Sequence, residues 1–459
     1  MEIRSFTADE LGNTSHLLLV PEAGVAAAID PMRDIGQYLE VVEPMGLEVT
    51  WALETHLHND FVSGARELRA EVGATVGAGA GADLRHPHQA LHDGQELDLG
   101  PCRLRVLATP GHTPEHVSYL LLDGAGRPVT LFSGGSLMVG TAARPDLLGP
   151  ANSWRLARLL RQSLRDRVLT LPDDVLVLPT HGGGSFCAAG AGGERQTTIG
   201  AERAHNPLAL AASDSAFIEI ALNQGPYPAY FERMRGLNQL GAALLGRRLP
   251  EPRRLALDEF DAWRAQGAAV LDLRSAEAFA EGHVPDSYAV GVAGSHSAWV
   301  GWLLDVDRPL VLVADDRAQE RESVRQLARI GYDLVVGALD GGFRSWADAG
   351  RPVSSYPRML SAEMERRLLS GERLVVVDVR EANEWFAGHV PGSVNIPAHD
   401  LPLRAGQLPL GATLAVHCGH VYRATLGASL LERSGHDQLI VVEDGFGGWT
   451  AATSRPARL

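Results

Sequence analysis

The 459-residue sequence has few cysteines and little positive charge, and it lacks a long apolar run. Its three cysteines, Cys102, Cys187 and Cys418, are too few for a disulfide framework and indicate a reducing, cytoplasmic setting. The sequence has 41 lysines and arginines and 56 aspartates and glutamates. The resulting net charge of −15 argues against nucleic acid or an anionic membrane as partner. No apolar stretch approaches the ~20 residues of a membrane span, and the N-terminus lacks a signal-peptide pattern.

The length and the linkers predict three domains. About 150 residues per domain is typical of globular proteins. Proline-bounded segments near residues 249–254 and 351–357 look like linkers. We therefore predict domains over residues 1–248, 253–354 and 358–459, and we call the last two the first repeat and the second repeat.

The two repeats share motifs at a constant spacing. Residues 270–274 (VLDLR) recur as 376–380 (VVDVR), and the Gly-His-Val-Pro motif follows each, with both motifs displaced by 106 residues. Apolar runs alternate with helical patterns, which predicts βαβ units on a parallel sheet. A period this long indicates duplicated domains. Because both repeats keep the Asp-x-Arg pair, we interpret it as a structural ion pair.

A cluster of metal-ligand residues lies in the first 245 residues, which hold 10 of the 17 histidines. His56, His58 and Asp60 follow the apolar run 49–53, which predicts a buried strand that ends in a ligand-bearing loop. Imidazole and carboxylate groups crowded in this way typically hold zinc or iron. Two more histidines in turns, His112 and His181, are candidates for the same site.

The second repeat contains a cysteine at a strand end. Cys418 follows an apolar run and begins a six-residue loop, 418–423. Arg423 is the sixth residue of this loop and precedes a helical pattern over residues 424–433. Backbone N–H groups and a helix N-terminus around a sulfur lower a thiol pKa from about 8.5 to roughly 3.5–7.5. The sequence therefore predicts a resting thiolate nucleophile. The alternative is a buried structural cysteine.

The combination of Asp-x-Arg, Gly-His-Val-Pro and a cysteine loop ending in arginine resembles the rhodanese family, over about 100 residues in each repeat. The resemblance implies that Cys418 accepts sulfane sulfur and that Arg423 closes its loop. Val421 stands where the family usually has glycine, so we expect altered loop geometry if that position needs φ > 0. The first repeat has no cysteine, and its counterpart segment, 313–317, predicts an inactive, structural copy.

The three histidine-bearing turns resemble the metallo-β-lactamase fold over roughly residues 1–245. The spacing and the segment 144–147 are more similar to the branch with persulfide dioxygenases and glyoxalase II, and Arg144 is a candidate substrate-binding residue. The implied fold class is α/β multidomain: a metallo-β-lactamase αββα sandwich followed by two rhodanese-like α/β domains with parallel sheets. The whole chain resembles bacterial persulfide dioxygenase–rhodanese fusions.

The resemblance also implies a ligand set, which this chain matches only in part. His56, His58 and His112 match the ligands of one metal, and Asp60 and His181 match two ligands of a second.

Two ligand positions depart from the pattern. Phe61 stands where a further histidine is expected, and Gly135 stands where a ligand aspartate is expected. The iron triad of persulfide dioxygenases would use that same aspartate with His56 and His112. We therefore predict a three-histidine site of His56, His58 and His112 that binds Fe(II) or zinc, with the two second-metal residues as outer partners or ligands of a second ion.

The leading hypothesis is iron-dependent oxidation of a low-molecular-weight persulfide, coupled to sulfane-sulfur transfer through Cys418. The expected partners are glutathione-like thiols and persulfides and thiosulfate, and a homo-oligomer is possible. One alternative is a metal-free, non-catalytic head, which leaves only a sulfurtransferase or sulfur carrier. Another is a zinc-dependent, glyoxalase II-like thioester hydrolase.

Overall fold

The described chain divides into two units, each built on two β-sheets. The computed structural model describes residues 1–188 and 193–453. The first unit comprises Met1–Pro250 with Leu327–Gly331, and the second comprises Glu251–Gln326 with the chain from Tyr332 onward. The division into three domains stays a prediction, and the end of its third domain, 454–459, lies outside the described residues.

The first sheet of the first unit has six strands among the described residues, in spatial order β1 to β6. Their bounds are β1 (Glu2–Ala8), β2 (Asn13–Val20), β3 (Val25–Ile29), β4 (Glu48–Leu53), β5 (Thr75–Gly79) and β6 (Gln89–Leu91). The first three strands pair antiparallel, and β3 to β6 pair parallel. The apolar run predicted as a buried strand is β4, which confirms that prediction.

The second sheet also has six strands in the described chain, in spatial order β12 to β7. Their bounds are β7 (Glu96–Asp98), β8 (Arg103–Ala108), β9 (Val117–Leu122), β10 (Pro128–Gly134), β11 (Leu176–Pro179) and β12 (Thr197–Thr198). Pairing is antiparallel except between β10 and β11, which run parallel.

Apolar side chains place the two sheets face to face and cover their outer faces with helices. The helices are α1 (Gly36–Val42), α2 (Ala65–Val72), α3 (Pro150–Ser163), α4 (Ile199–His205), α5 (Asp214–Leu222) and α6 (Phe231–Leu240). One core cluster joins Leu18 and Leu53 of the first sheet to Tyr119 and Phe132 of the second. Separate clusters pack α1 and α2 on one outer face and α3 to α5 on the other. The predicted αββα sandwich is confirmed.

Each repeat forms a parallel five-stranded sheet in the described residues, which confirms the predicted parallel sheets. The strands of the first repeat, in chain order, are β13 (Arg254–Leu255), β14 (Ala269–Asp272), β15 (Tyr288–Ala289), β16 (Leu310–Val313) and β17 (Val335–Leu339). Those of the second are β18 (Arg358–Met359), β19 (Leu374–Asp378), β20 (Val394–Asn395), β21 (Thr413–His417) and β22 (Leu439–Val442). Both sheets have the same strand order, as duplicated domains require.

The repeats also carry equivalent helices. Those of the first repeat are α7 (Leu257–Ala265), α8 (Ala276–Glu281), α9 (His296–Leu303), α10 (Arg317–Arg329) and α11 (Gly342–Asp348). Those of the second are α12 (Ser361–Leu369), α13 (Ala382–Phe386), α14 (Leu401–Arg404), α15 (Val421–Arg433) and α16 (Gly445–Ala452). Shorter 3-10 or π-helical turns lie at Pro21–Ala23, Glu43–Met45, Leu164–Val168, Ala398–Asp400 and Ala405–Gln407. Within residues 1–188 and 193–453, no helix combines the length and apolarity needed to cross a membrane.

Candidate metal centre and cysteine loop

The five residues predicted for the metal site are brought together at strand ends. His56, His58 and Asp60 lie in the segment between β4 and α2, His112 lies in the turn between β8 and β9, and His181 follows β11. Each residue is at most 2% exposed. The shared burial comes from the sandwich itself, because the ends of the central strands of both sheets open into one volume.

Three of the imidazoles converge most closely. The ring centroids of His56, His112 and His181 lie 4.7 to 5.4 Å apart. One ring nitrogen from each lies within 4.8 Å of the others, and the Nε2 atoms of His56 and His181 are 3.3 Å apart. This spacing suits one metal ion between the three nitrogens.

The outer nitrogens of His112 and His56 are already engaged. His112 Nδ1 donates to the carbonyl oxygen of Arg144 at 2.7 Å, and its buried Nε2 has no partner in the described chain. His56 Nδ1 lies 2.8 Å from Thr55 Oγ1, which donates to an oxygen of Asp30 at 2.7 Å. This network assigns the ring proton to Nδ1, so the Nε2 lone pair points inward. Metal-binding histidines are typically held by such outer hydrogen bonds.

His181 is held in the same manner by Asp60. The Nδ1 of His181 lies 3.1 Å from Asp60 Oδ2 and 3.0 Å from Asn13 Oδ1. Asn13 Nδ2 also donates to Asp60 at 2.8 Å. Burial acts to raise the pKa of Asp60, but His181, His58 and the Asn13 amide outweigh it and hold that pKa well below its usual range. Asp60 is therefore an ionised orienting group beside His181.

His58 turns one ring nitrogen to two carboxylates, while its buried Nδ1 has no partner in the described residues. Its Nε2 lies 3.2 Å from Asp30 Oδ1 and 3.0 Å from Glu54 Oε2. Burial disfavours the charged ring, but the two carboxylates outweigh burial and raise the pKa of His58 to about 10. His58 also belongs to two groups of possible metal ligands, one with Asp60 and His181 and one with Asp30 and His56. The predicted set of His56, His58 and His112 stays a prediction, and the geometry brings His181 together with His56 and His112.

Gly135, in place of the expected aspartate, lies in a space already filled by rings. Its backbone N–H donates to His116 Nε2 at 3.0 Å, and His116 Nδ1 lies 2.9 Å from Thr109 Oγ1. A Cβ atom at Gly135 would lie 2.8 Å from both His112 Cδ2 and Ala143 Cβ. An aspartate could enter only if the His112 ring or the Ala143 backbone moved.

The cysteine loop, residues 418–423, follows β21 and includes the first three residues of α15. Cys418 is 1% exposed, and the backbone N–H groups of His420, Arg423 and Ala424 face its sulfur. Arg423 forms two hydrogen bonds with the Glu384 carboxylate, at 2.6 and 2.8 Å.

Val421 does not strain this loop. It is the first residue of α15, and no residue of the loop adopts a positive φ. The expected cost of a β-branched residue therefore does not arise, because this position has helical geometry.

The thiol of Cys418 differs from the sequence prediction. Burial raises the pKa of Cys418, while Arg423 and the three N–H groups act in the opposite direction without overcoming burial. The expected resting thiolate is therefore not what the closed loop favours. Desolvation of the sulfur cannot be read from the sequence, since it depends on how tightly the loop closes.

Strand register identifies the counterpart of Cys418 in the first repeat. Asp272 pairs with Val313 as Asp378 pairs with His417, so Ala314 occupies the cysteine position. The helix that follows starts at Arg317 in the first repeat and at Val421 in the second, which keeps the same offset of 104 residues. The prediction that this segment lacks a thiol is confirmed residue by residue.

Comparisons with known proteins match both parts of the chain. The rhodanese-like domain family matches residues 256–349 and 361–452. A crystal structure of a metallo-beta-lactamase from Staphylococcus aureus subsp. aureus COL has 30% sequence identity and a TM-score of 0.66, and the match covers 73% of this chain and 98% of that one. The chain is a metallo-β-lactamase-fold domain fused to two rhodanese-like domains.

Two kinds of enzyme are among the curated relatives of the metallo-β-lactamase-fold head. A hydroxyacylglutathione hydrolase of Acidiphilium cryptum is 41% identical over 131 residues, which are 28% of this chain and 54% of the relative. The mitochondrial persulfide dioxygenase ETHE1 of Homo sapiens is 28% identical over 215 residues, 46% of this chain and 76% of the relative. The chain spans only 54% and 57% of the first two hydrolase relatives.

In the metallo-β-lactamase-fold head, Arg144 is fully engaged with protein groups. Its guanidinium forms two hydrogen bonds with Asp146 and donates to the carbonyl oxygens of Phe186 and Gly225. It also lies 4.8 Å above the Tyr227 ring. Its role as a substrate-binding residue stays a prediction; its visible role is to hold His112 through its carbonyl.

Sequence reasoning missed two residues of this head. Asp30 receives hydrogen bonds from Thr55 and Thr180 and pairs with His58, and it directly follows β3. His116 stacks on His56 at 5.1 Å. A lone aspartate after a strand carries little signal, but a second histidine four positions after His112 in the same turn could have drawn attention.

Proposed function

We propose that the head oxidises a low-molecular-weight persulfide and that Cys418 carries sulfane sulfur to or from that reaction. The observation that carries the proposal is the convergence of the imidazole nitrogens of His56, His112 and His181. The balanced oxidation is RSSH + O₂ + H₂O → RSH + SO₃²⁻ + 2 H⁺. The outer sulfur loses four electrons to dioxygen, and water supplies the third oxygen of sulfite.

The three histidines fit a divalent transition metal. His112 Nε2 is buried without a partner in the described residues, and both neighbouring rings present a lone pair toward it. Fe(II) bound there would supply the dioxygen chemistry, and zinc is the alternative ion. Because all three ligands are neutral, they leave the charge of the ion uncompensated, which favours an anionic persulfide as substrate.

The outer residues of the head keep the ligands in one orientation. Asp60 and Asn13 hold His181, and the Arg144 carbonyl holds His112. Loss of such an orienting group typically weakens metal affinity about 10- to 100-fold. The sandwich thus contributes buried ligands in fixed orientations.

The cysteine loop supplies the sulfur-transfer step. The Cys418 thiolate attacks the outer sulfur of a donor such as thiosulfate, an S–S bond forms, and the donor's own S–S bond breaks to release sulfite. The sulfane sulfur then passes to an acceptor thiolate such as glutathione. The N–H groups of His420, Arg423 and Ala424 would stabilise the persulfide anion on Cys418.

Two alternatives have an observation in their favour. A zinc-dependent thioester hydrolase is favoured by the 41% identity with a hydroxyacylglutathione hydrolase and by a second possible ligand group, His58, Asp60 and His181. A sulfurtransferase with a non-catalytic head is favoured by Gly135, whose surroundings leave no space for a carboxylate ligand.

Metal content and dioxygen uptake test the proposal together. The full chain is loaded anaerobically with Fe(II), and glutathione persulfide is added in an oxygen electrode. We expect one iron per chain and persulfide-dependent uptake, and His181→Ala should lose both because it removes one of three ligands. Uptake no greater than in buffer, with iron bound, would contradict the dioxygenase role.

Three comparisons separate the alternatives. Two metal ions per chain would favour the hydrolase, and less than one ion would favour the non-catalytic head. His58→Gln should retain iron if His181 is the third ligand. Loss of iron in His58→Gln but not in His181→Ala would instead support the set predicted from the sequence, His56, His58 and His112. The exposed His92→Ala serves as the control.

A further inference from the structure

Helix α15, which follows the cysteine loop, docks along the first repeat. Near its C-terminal end, Glu432 Oε2 lies 2.9 Å from His283 Nε2, the histidine of the first Gly-His-Val-Pro motif. In its middle, Ser429 Oγ accepts a hydrogen bond from the Ala289 N–H at 3.2 Å. The cysteine-free repeat therefore contacts the helix whose first turn frames Cys418.

At the other end of α15, Tyr422 reaches into the first repeat. It is the fifth residue of the cysteine loop, and its hydroxyl donates to the Gly291 carbonyl at 3.3 Å. Its ring lies against Gly294, where a Cβ atom would be 2.6 Å from Tyr422 Cε2. We call the segment 291–294 the glycine seat.

The seat requires glycine for space alone. Neither Gly291 nor Gly294 adopts a positive φ, so the backbone conformation permits alanine at both positions. At Gly291 a Cβ atom would lie 2.7 Å from the Arg274 carbonyl oxygen, so only a substitution at Gly294 tests the contact with the ring. The three atoms nearest to a Cβ atom at Gly294 all belong to the Tyr422 ring, at 2.6 to 3.1 Å. The contact has no reciprocal counterpart, because Ala318, which stands in the first repeat where the second has Tyr422, has no ring.

The backbone connects the glycine seat to Cys418. Tyr422 lies between Val421 and Arg423, and the Arg423 N–H is one of the groups that face the sulfur. On its other side the loop is closed by Gly445, where a Cβ atom would overlap the carbonyl oxygens of Cys418 and Gly419. The loop is thus held between its own repeat and the glycine seat.

We infer that the first repeat acts as a platform for the cysteine loop and that Tyr422, seated on Gly291 and Gly294, is a positioning residue for Cys418. The inference rests on the proposed sulfur-transfer role of Cys418. It gives the cysteine-free repeat a role that its lack of a thiol does not suggest. A displaced ring would turn the N–H donors away from the sulfur and admit water to the thiol.

Two measurements on the full-length protein test this platform. Gly294→Ala and Tyr422→Ala should each lower kcat/KM for sulfur transfer from thiosulfate to cyanide by about 10- to 100-fold, since misplacement by about 1 Å costs rate on this scale. Alkylation of Cys418 by iodoacetamide at pH 7 should become faster, because exposure removes the burial that raises the thiol pKa. Slower transfer with faster alkylation is the expected signature. The alkylation does not depend on transfer activity.

The remaining variants separate positioning from misfolding. Tyr422→Phe should keep most of the transfer rate, because it retains the ring and loses one long hydrogen bond. The double variant Gly294→Ala/Tyr422→Ala should be no slower than Tyr422→Ala alone, because the clash needs the ring. Gly406→Ala, where a Cβ atom meets nothing within 4 Å, is the control. Unchanged transfer and alkylation in both single variants, with unchanged melting temperatures, would overturn the inference. Failure of transfer in the wild type would instead refute the proposed function.

Discussion

The two repeats share nearly all of their structural devices and differ at the residues that could do chemistry. Both bury an Asp-x-Arg pair, Asp272 with Arg274 and Asp378 with Arg380, at 2.6 and 2.7 Å. In both repeats, a glycine with a positive φ packs against the segment that follows β16 or β21, and a side chain there would overlap a backbone oxygen. These glycines are Gly342 and Gly445. What both repeats keep serves the fold, and what only the second keeps is the candidate for function.

The differing positions form a consistent set. The second repeat has Cys418 and Arg423 where the first has Ala314 and Gln319. His417, which precedes the cysteine, lies 3.3 Å from Asp378, while the equivalent residue in the first repeat is apolar. Duplication thus preserved a scaffold twice and a candidate thiol site once.

The largest effect is expected at the thiol itself. Cys418→Ser should abolish thiocyanate formation from thiosulfate and cyanide, at least about 10³-fold, because serine oxygen is a far weaker nucleophile at neutral pH. Ala314→Cys in that background should not restore it, since the new thiol would lie beside Asp315 and Asp316, and Gln319 stands at the position of Arg423. Transfer that survives Cys418→Ser would remove this residue from the mechanism.

Removal of the aspartate from the Asp-x-Arg pair should destabilise both repeats. Asp272→Ala and Asp378→Ala each leave a buried arginine without its carboxylate, which typically costs about 3–5 kcal/mol. Urea unfolding of each variant measures the loss, and the corresponding Asp→Asn variants show how much hydrogen bonding alone retains. A stability loss confined to the first repeat, with lost transfer and full stability in the second, would make the second pair catalytic.

A smaller, pH-dependent effect is expected at His417. Burial acts to raise the pKa of Asp378, but His417 and Arg380 outweigh it and hold that pKa well below its usual range. In the first repeat, which has no such histidine, burial raises the pKa of Asp272. A depressed folded-state pKa gives stability that is present above pH 4 and is lost as the pH falls toward the folded value.

His417→Val, which copies the first repeat, should therefore destabilise the protein by about 1–3 kcal/mol at pH 7. The difference from the wild type should shrink between pH 4 and pH 3. Urea midpoints at pH 7, 5, 4 and 3 give the curve, and His417→Gln tests whether a neutral hydrogen-bond donor suffices. A difference that stays constant over this range would show that packing, and not the ion pair, accounts for the loss.

Much of the fold was predictable because it depends on local patterns. The apolar run before His56 became β4, the alternating runs of the repeats became parallel sheets, and the position of Cys418 at a strand end was confirmed. The choice of metal ligands was less accessible. His58 lies two residues from His56, yet its Nε2 faces Asp30 and Glu54. Neither carboxylate belongs to a spacing pattern that marks it as part of the site.

The sequence by itself determined which chemical groups are present: a histidine-rich head with glycine at the expected aspartate position, one repeat with a thiol and one without. The tertiary structure decided which of those groups meet and in what state. It set His181 beside His56 and His112, filled the space around Gly135 with rings, and closed the loop so tightly that burial raises the thiol pKa of Cys418. The physical reason is that composition and spacing are local, whereas convergence, exclusion and desolvation depend on atoms that are distant in the chain.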